Sequence, residues 1–220
     1  ARVNGSELTR IHILAVALTK TTESHLEIDS IKSFIDAFQS VTSLKISELW
    51  ALAPMLRLSI LEKLTEALSH ITHLDLPPAS FPDLELAAPD HGPDDHSPVT
   101  DETIVINSVI SLRILATQDW LAFFENACLV ETILRGDPAD VYTHMDFDTR
   151  NRYRNVVEEI ASGTPADERT IAHTAISLAE NGERPRTRHV GYYLIGQGRS
   201  MLETKLGYQP PRESRLRRWL

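Results

Sequence analysis

Apolar residues recur at intervals of three and four along most of this chain, and this spacing restricts its fold more than any other feature. One such set lies near the start and comprises Leu8, Ile11, Leu14, Ala15 and Leu18. Another lies in the middle and comprises Ile104, Val105, Val109, Leu112 and Ala116. Residues three and four apart share a face of an α-helix, whereas a half-buried strand requires strict alternation. No stretch sustains that alternation, so the sequence predicts an all-α fold.

The same spacing, together with capping residues, glycine and proline, predicts a bundle of about eight helices. They are residues 6–24, a helix from near Asp29, residues 47–73, residues 101–116, a helix capped by Asp119, a helix from Asp146 or Asp148, residues 167–179 and residues 190–206. Asn4 or Ser6 is the expected cap of the first, and Asn181–Gly182 is the expected C-terminal cap of the seventh. Pro54 predicts a kink in the third helix.

Residues 75–100 contain six prolines and several acidic residues, but no Lys or Arg. Proline removes backbone donors and disfavours helix in the residue before it, and like charges repel each other. This composition predicts an extended acidic linker between two helical sub-bundles. The predicted organisation is an N-terminal helical subdomain (1–74), the linker (75–100), a C-terminal helical subdomain (101–208) and a basic tail (209–220).

Composition excludes some classes of function. The formal net charge of −9 argues against broad nucleic-acid binding, which requires clustered Lys and Arg. Cys128 is the single cysteine, so no disulfide forms within the chain, which fits a reducing compartment. No apolar run approaches the roughly 18–20 residues that span a bilayer, and the start of the chain lacks the apolar region of a signal peptide. Because it does not begin with Met, we expect a piece of a longer protein.

Two groups of residues have the chemistry of metal ligands. His70 and His73 lie three residues apart on a predicted helix, and a denser cluster in the linker comprises Asp90, His91, Asp94, Asp95 and His96. Metal sites need three or four ligands in a fixed geometry, which a proline-rich linker does not preorganise. We therefore predict a solvated linker and no metal or cofactor site in this chain.

No catalytic set is evident from spacing. Glu158 and Glu159 are neighbours, so their side chains diverge on a helix and do not form the carboxylate pair of a glycosidase. Surface charge, or ion pairing with Arg150, Arg152 or Arg154, is the expected role. Cys128 lies between Ala127 and Leu129, which favours a small core residue over a nucleophile.

The C-terminal tail combines cations with an aromatic residue. Arg215, Arg217 and Arg218 precede Trp219 and Leu220. Such a sequence suits the cytoplasmic edge of a transmembrane helix, where cations meet anionic headgroups and the indole sits at the interface. An ordinary basic tail is the alternative.

Several segments resemble cyclic β-1,2-glucan synthases. Before the linker, residues 46–64 (ISELWALAPMLRLSILEKL) and 34–39 (FIDAFQ) resemble the family's GELWA-PxMLR-xxLIExL and F-V-x-A-Y-Q segments, with Ser47 where the family usually has Gly. After it, the resembling segments are NSVISLR (107–113), DW (119–120), FFE (123–125), LVE (129–131), LRGDP (134–138), MDFDTRNRYR (145–154), VEEIA (157–161) and VGYYLI (190–195). Apart from the linker, the resemblance covers nearly the whole chain.

The resemblance implies a parent that is a large bacterial inner-membrane enzyme. Such enzymes polymerise glucose from UDP-glucose in a membrane-embedded, metal-dependent glycosyltransferase module, close the product into a ring and carry a C-terminal phosphorylase-like domain. The matched region precedes the first membrane helix and contains no catalytic motif of the family. The resemblance thus implies a non-catalytic helical domain on the cytoplasmic side, with the other modules and the membrane surface near the tail as partners.

Eight residues are candidates for an interface or a structural role: Glu48, Trp50, Arg57, Asp119, Trp120, Arg150, Tyr153 and Arg154. Both tryptophans are expected in the core, and Arg57 or Arg154 is expected to pair with a buried acid such as Glu48 or Asp119. Two alternatives stay open. The chain could itself bind glucan or UDP-glucose in a cleft of aromatics and carboxylates, or act as an interaction module outside any synthase.

Overall fold

The computed structural model of the protein describes residues 9–74 and 99–209 in full, and residues 2–3 and 6–7 in their backbone. The Asp/His cluster of the acidic segment and the basic tail from Arg215 to Leu220 lie outside the described residues. Arg2–Val3 (β1) pairs antiparallel with Ser6–Glu7 (β2), and every other regular element is helical in the part of the chain just defined.

Within that part, ten α-helices are present, of which eight have eight residues or more, so the predicted all-α fold is confirmed. The helices are α1 (Arg10–Thr21), α2 (Ile28–Val41), α3 (Ile46–Thr72), α4 (Asp101–Thr117), α5 (Trp120–Ala127), α6 (Leu129–Leu134), α7 (Phe147–Ser162), α8 (Glu168–Glu180), α9 (Gly191–Leu194) and α10 (Arg199–Leu206). Short 3₁₀ helices form at Tyr142–His144 and Pro185–Arg188.

Three helix starts that the sequence predicts at aspartates carry capping hydrogen bonds. Asp146 accepts the backbone N–H of Thr149 at 2.7 Å, and Asp167 accepts that of Thr170 at 2.7 Å. Asp119 accepts the first free N–H groups of α5, both at 3.0 Å. A carboxylate at this position satisfies donors that have no partner within the helix, so these starts are legible from local sequence.

Three predicted boundaries are wrong. The first helix begins after Thr9, because residues 6–7 are in β2, and the cap of α2 is Glu27 rather than Asp29. The predicted helix 190–206 is two helices, α9 and α10, and Gly198 between them leaves no room for a Cβ beside the Tyr192 ring. The seventh predicted helix does end at Asn181–Gly182, since α8 stops at Glu180 and Asn181 is its cap. Gly182 is not in the left-handed conformation; the described glycine with positive φ is Gly207, which ends α10.

Close backbone contacts divide the chain into a first unit, residues 1–127, and a second unit, residues 128–220. In the first unit, the 27-residue helix α3 packs against both α1 and α4. Its core is formed mainly by Ile11, Leu18, Leu26, Ile31, Ile35, Leu52, Leu56, Ile60 and Leu115. Helices α4 and α5 therefore belong to the same unit as α1–α3. The predicted subdomains were instead divided at the acidic segment, since periodicity does not show which helices pack together.

In the second unit, α8 packs against α6, α7, α9 and α10. Its inward face carries Ile171, Ala172, Ala175, Ile176 and Ala179, all buried. Small alanine side chains let neighbouring helices approach closely, so one 13-residue helix can contact four others.

The turn between α1 and α2 is held by the side chains of α4. Glu23 and Ser24 both have positive φ (52° and 63°), a conformation that costs free energy in residues with a Cβ. The Ser111 hydroxyl donates to Ser24 O and accepts from Leu26 N, both at 2.7 Å, while Asn107 donates to Glu23 O at 3.0 Å. These three bonds hold the turn in place against α4.

Replacing Ser111 with alanine should destabilise the first unit by about 1–3 kcal/mol, because a buried N–H and a buried carbonyl lose their partner together. Ser108 is a matched control on the same helix. It is equally buried, and its hydroxyl makes no hydrogen bond within the described residues. Urea unfolding followed by tryptophan fluorescence measures the difference. Equal losses in Ser111→Ala and Ser108→Ala would contradict this role.

Candidate functional site

Glu48 fixes the start of α3. Its carboxylate accepts the backbone N–H of Lys45 at 2.8 Å and the Nε–H of Arg10 at 2.8 Å, and the Arg10 guanidinium lies over the Phe38 ring at 5.8 Å. Burial opposes ionisation of Glu48, but the bonds from Arg10 and Lys45 outweigh it and hold the pKa of that carboxyl below its usual value. Glu48 thereby joins α1 to α3.

Two further candidates, Arg57 and Trp120, meet at the C-terminal end of α4. Arg57 Nη2 and Trp120 Nε1 each donate to the Leu115 carbonyl at 2.9 Å, so α3 and α5 are both tied to one backbone group. Trp50 stacks on Phe124 with ring centroids 4.2 Å apart and is 38% exposed. Asp119 caps α5. The expected pairing of Arg57 with Glu48 or Asp119 is therefore wrong.

A buried ion cluster forms the centre of the second unit. Glu131 is fully buried, and its carboxylate meets Arg154 Nη1 at 2.5 Å, Tyr142 Oη at 2.7 Å, Arg135 Nε at 3.0 Å and Arg150 Nε at 3.3 Å. Arg154 and Tyr142 are also fully buried. A carboxylate in such a place is tolerated only when cations and donors surround it.

Two arginines of this cluster, Arg150 and Arg154, reach it from α7. Arg150 also donates to the Met145 carbonyl at 2.7 Å, and the Arg154 guanidinium lies 4.9 Å from the Phe147 ring centroid. Arg154 thus pairs with Glu131, not with the expected Glu48 or Asp119. The cluster joins α6, the 3₁₀ turn of Tyr142 and α7.

A second polar chain runs from Asp137 through His189 to Tyr153. The Asp137 carboxylate is buried, and its Oδ2 lies 2.7 Å from His189 Nδ1. His189 Nε2 lies 3.2 Å from Tyr153 Oη. With Nδ1–H donating to Asp137, Nε2 accepts a hydrogen bond from the Tyr153 hydroxyl. The three groups then form an ordered hydrogen-bonded relay.

Asp137 also organises the backbone on both sides of this relay. It accepts the N–H of Val190 at 2.8 Å and those of Val141 and Tyr142, both at 3.2 Å. Burial opposes ionisation, but the bonds from His189 and the backbone outweigh it and lower the pKa of Asp137. One carboxylate therefore connects the α6–α7 loop to the start of α9.

The far end of the relay opens into a shallow cleft of about 230 Å³. Its lining residues are Tyr153, Arg186, His189, Gly191, Tyr192, Ile195 and Gly196. A Cβ at Gly191 would overlap Tyr153 Oη and approach His189 Nε2 to 2.6 Å, so glycine is required for the relay to close. The cleft presents two phenols, an imidazole and a guanidinium, which are groups that can bind a sugar or a phosphate.

The surroundings of the relay favour the protonated form of the Tyr153 phenol. Burial and the nearby Asp137 charge raise the pKa of Tyr153, which keeps its phenol neutral. Cys128 is buried, and burial raises the pKa of its thiol to about 11, far from the range of an activated nucleophile. In this arrangement the chemistry of the site is hydrogen bonding and orientation.

Sequence reasoning missed Asp137 and His189 as partners. Asp137 stands in the LRGDP segment (134–138) and His189 lies 52 positions further on, so no local spacing connects them. Glu131 had a visible signal, since it is an acid inside the apolar helix LVETIL, with Arg135 four residues away. Glu159 does pair with an arginine, but the partner is Arg199 at 2.7 Å rather than one of the predicted arginines of α7.

The described ranges contain no group of side chains that could coordinate a metal ion. There, no three His, Cys, Asp or Glu side chains lie close enough to hold an ion. His70 Nδ1 instead lies 3.4 Å from the Asp101 carboxylate, and His73 ends α3 in the left-handed conformation.

Similarity to one curated protein spans nearly the whole chain. The chain is similar to the cyclic beta-(1,2)-glucan synthase NdvB of Rhizobium meliloti (strain 1021), with 25% identity over 274 aligned positions. The alignment covers 94% of this chain and 10% of that protein, so the chain spans about a tenth of the relative's length. No family model matches the sequence. The similarity indicates a relation to a region of such a synthase, as the motifs did.

None of the helices in the described residues combines the length and the apolar character needed to cross a membrane.

Proposed function

We propose that this chain is a non-catalytic helical region of a cyclic β-1,2-glucan synthase, which scaffolds or docks on the parent's catalytic modules. The parent would make cyclic β-1,2-glucan from UDP-glucose with a divalent metal. The region would lie on the cytoplasmic side of the bacterial inner membrane, with its tail at the membrane surface. The similarity to NdvB supports the relation to a glucan synthase. The scaffold role is supported by the resembling residues, because they make contacts inside the fold.

The observation that carries this proposal is the Glu131 cluster. Glu131 belongs to the resembling LVE segment, and Arg154 to MDFDTRNRYR, and these two side chains pair with each other inside the protein. Asn107 and Ser111 of NSVISLR likewise hold the α1–α2 turn. Residues that carry the resemblance therefore stabilise the fold, as a structural region requires.

One specific observation favours a second candidate, a fragment that binds glucan or UDP-glucose itself. The cleft beside Tyr192 combines aromatic faces with the Arg186 guanidinium, as saccharide and phosphate sites do. The relay behind it would orient the Tyr153 hydroxyl towards such a ligand.

Titration calorimetry of the 220-residue chain separates the two candidates. With UDP-glucose and with linear β-1,2-glucan, we expect no saturable heat at ligand concentrations up to a few millimolar. Saturable binding tighter than about 1 mM, or roughly −4 kcal/mol, would overturn the purely structural role. Loss of that heat in Tyr192→Ala would then assign it to the cleft.

A further inference from the structure

Helix α4 buries two serines and exposes three apolar residues, the reverse of an ordinary surface helix. It turns Ser108, Ser111 and Leu115 inward, all buried. Its opposite side carries Ile106, Val109 and Ile110, which are 59%, 56% and 42% exposed. At about 100° per residue these three point away from the buried face. The outer face of a surface helix is normally polar, so an exposed apolar face of this kind calls for a partner.

A charged residue lies at each end of this exposed set. Glu102 precedes it and Arg113 follows it, and both are exposed. The spacings of 4, 3, 1 and 3 along Glu102, Ile106, Val109, Ile110 and Arg113 place all five on one stripe of the helix. We call these five residues the α4 stripe. It is apolar in the middle, acidic at its N-terminal end and basic at its C-terminal end.

The charge pattern makes the stripe complementary to itself in one orientation. Two copies of α4 can lie antiparallel with Glu102 of each facing Arg113 of the other. Ile106 lies four residues after Glu102 and Val109 four residues before Arg113, so these two positions also come opposite each other. In that register Ile106 lies against Val109. A parallel pairing would set Glu102 beside Glu102 and Arg113 beside Arg113, which repel. The pattern thus selects the antiparallel arrangement.

We propose that the α4 stripe binds a second copy of this chain, in an antiparallel, two-fold symmetric contact between the first units. Such an isologous contact is closed, so association ends at the dimer. The stripe spans about 16 Å along the helix axis, at 1.5 Å per residue. A contact of this size is small for a stable interface, so the dimer should be weak, with a dissociation constant on the order of 100 µM.

Sedimentation velocity of the full chain between about 10 µM and 1 mM tests this directly. We expect a rapid monomer–dimer equilibrium and no larger species. Ile106→Glu should leave a monomer throughout, with an unchanged far-UV spectrum. A wild-type chain that stays monomeric at the highest concentration overturns the proposal, as would an unchanged dimer in Ile106→Glu, which would place the contact elsewhere.

A charge swap tests the orientation. Glu102→Arg and Arg113→Glu should each weaken dimerisation at least tenfold in low salt, because each change appears twice in a symmetric contact. The double variant should restore it to within about threefold of the wild type. Asp36→Arg, an equal charge change at an exposed position on α2, is the control and should leave dimerisation unaltered. No recovery in the double variant would refute the antiparallel register.

Cysteine cross-linking gives an independent reading of register. An equimolar mixture of Ile106→Cys and Val109→Cys should form disulfide-linked dimers faster than either variant alone. Cys128 is buried and its thiol pKa is raised to about 11, so it does not compete for oxidation. Faster homodimer formation by the single variants would indicate the parallel arrangement and contradict the proposal.

Discussion

Replacing Arg154 with methionine should lower the free energy of unfolding of the second unit by about 3–5 kcal/mol. Methionine fills much of the same volume but leaves the buried Glu131 carboxylate without its shortest contact, the 2.5 Å bond to Arg154 Nη1. The expected loss comes from the uncompensated charge rather than from a cavity. Urea unfolding followed by far-UV circular dichroism gives the size of the effect, and hydrogen exchange of peptides from α6 and α7 gives its location.

Arg135→Met is the matched control, because Arg135 contacts the same carboxylate at 3.0 Å but is 48% exposed. Exposed ion pairs contribute little, so we expect a change within about 1 kcal/mol. The double variant Glu131→Leu with Arg154→Met should recover part of the loss, since both charges leave the core. Equal effects of Arg154→Met and Arg135→Met would show that burial does not set the strength of this cluster.

Local sequence signals predicted the helices whose ends are set locally. Asp146 and Asp167 mark the starts of α7 and α8 in the sequence, because an acidic cap bonds to a backbone N–H only three residues further on. The break between α9 and α10 was not predictable from periodicity, because the apolar spacing continues across Gly196 and Gly198. After the break, the Tyr192 ring lies so close to Gly198 that a Cβ at this position would overlap it.

The polarity of α4 shows the same limit. Its sequence offers apolar residues on more than one side, and Val109 was assigned to the apolar set although the structure leaves it 56% exposed. The inward side was decided by Ser111, whose hydroxyl bonds the α1–α2 turn. Periodicity predicts that a helix forms, but polar partners from distant segments decide how it is rotated.

The polar site was the least predictable part. Glu131 and Arg154 are 23 positions apart, and Asp137 and His189 are 52 apart, so neither pair has a spacing signature. Tyr153, Arg150 and Arg154 entered the candidate set through the resemblance, and the structure places all three in the second unit's two polar networks. What the sequence could not supply was the pairing of these residues with Glu131 and with Asp137.

Asp137→Asn should lower the free energy of unfolding of the second unit by about 2–4 kcal/mol near neutral pH. The carboxylate accepts from His189 and from three backbone N–H groups, whereas asparagine must point its NH₂ at one set of these donors. Asp167→Asn is the control in the same unit. Asp167 is an exposed helix cap, and asparagine caps a helix about as well, so little change is expected.

The loss in Asp137→Asn should also depend on pH in a defined direction. The folded-state pKa of Asp137 is lowered by its hydrogen bonds, so its contribution is complete above the unfolded value of about 3.9. It declines as the pH falls through the lower, folded-state pKa. The difference in stability between wild type and Asp137→Asn should therefore shrink as the pH falls below about 3.9, as urea midpoints at each pH would show. A difference that stayed constant or grew over that range would mean that the ionised form of Asp137 does not hold the α6–α7 loop to α9.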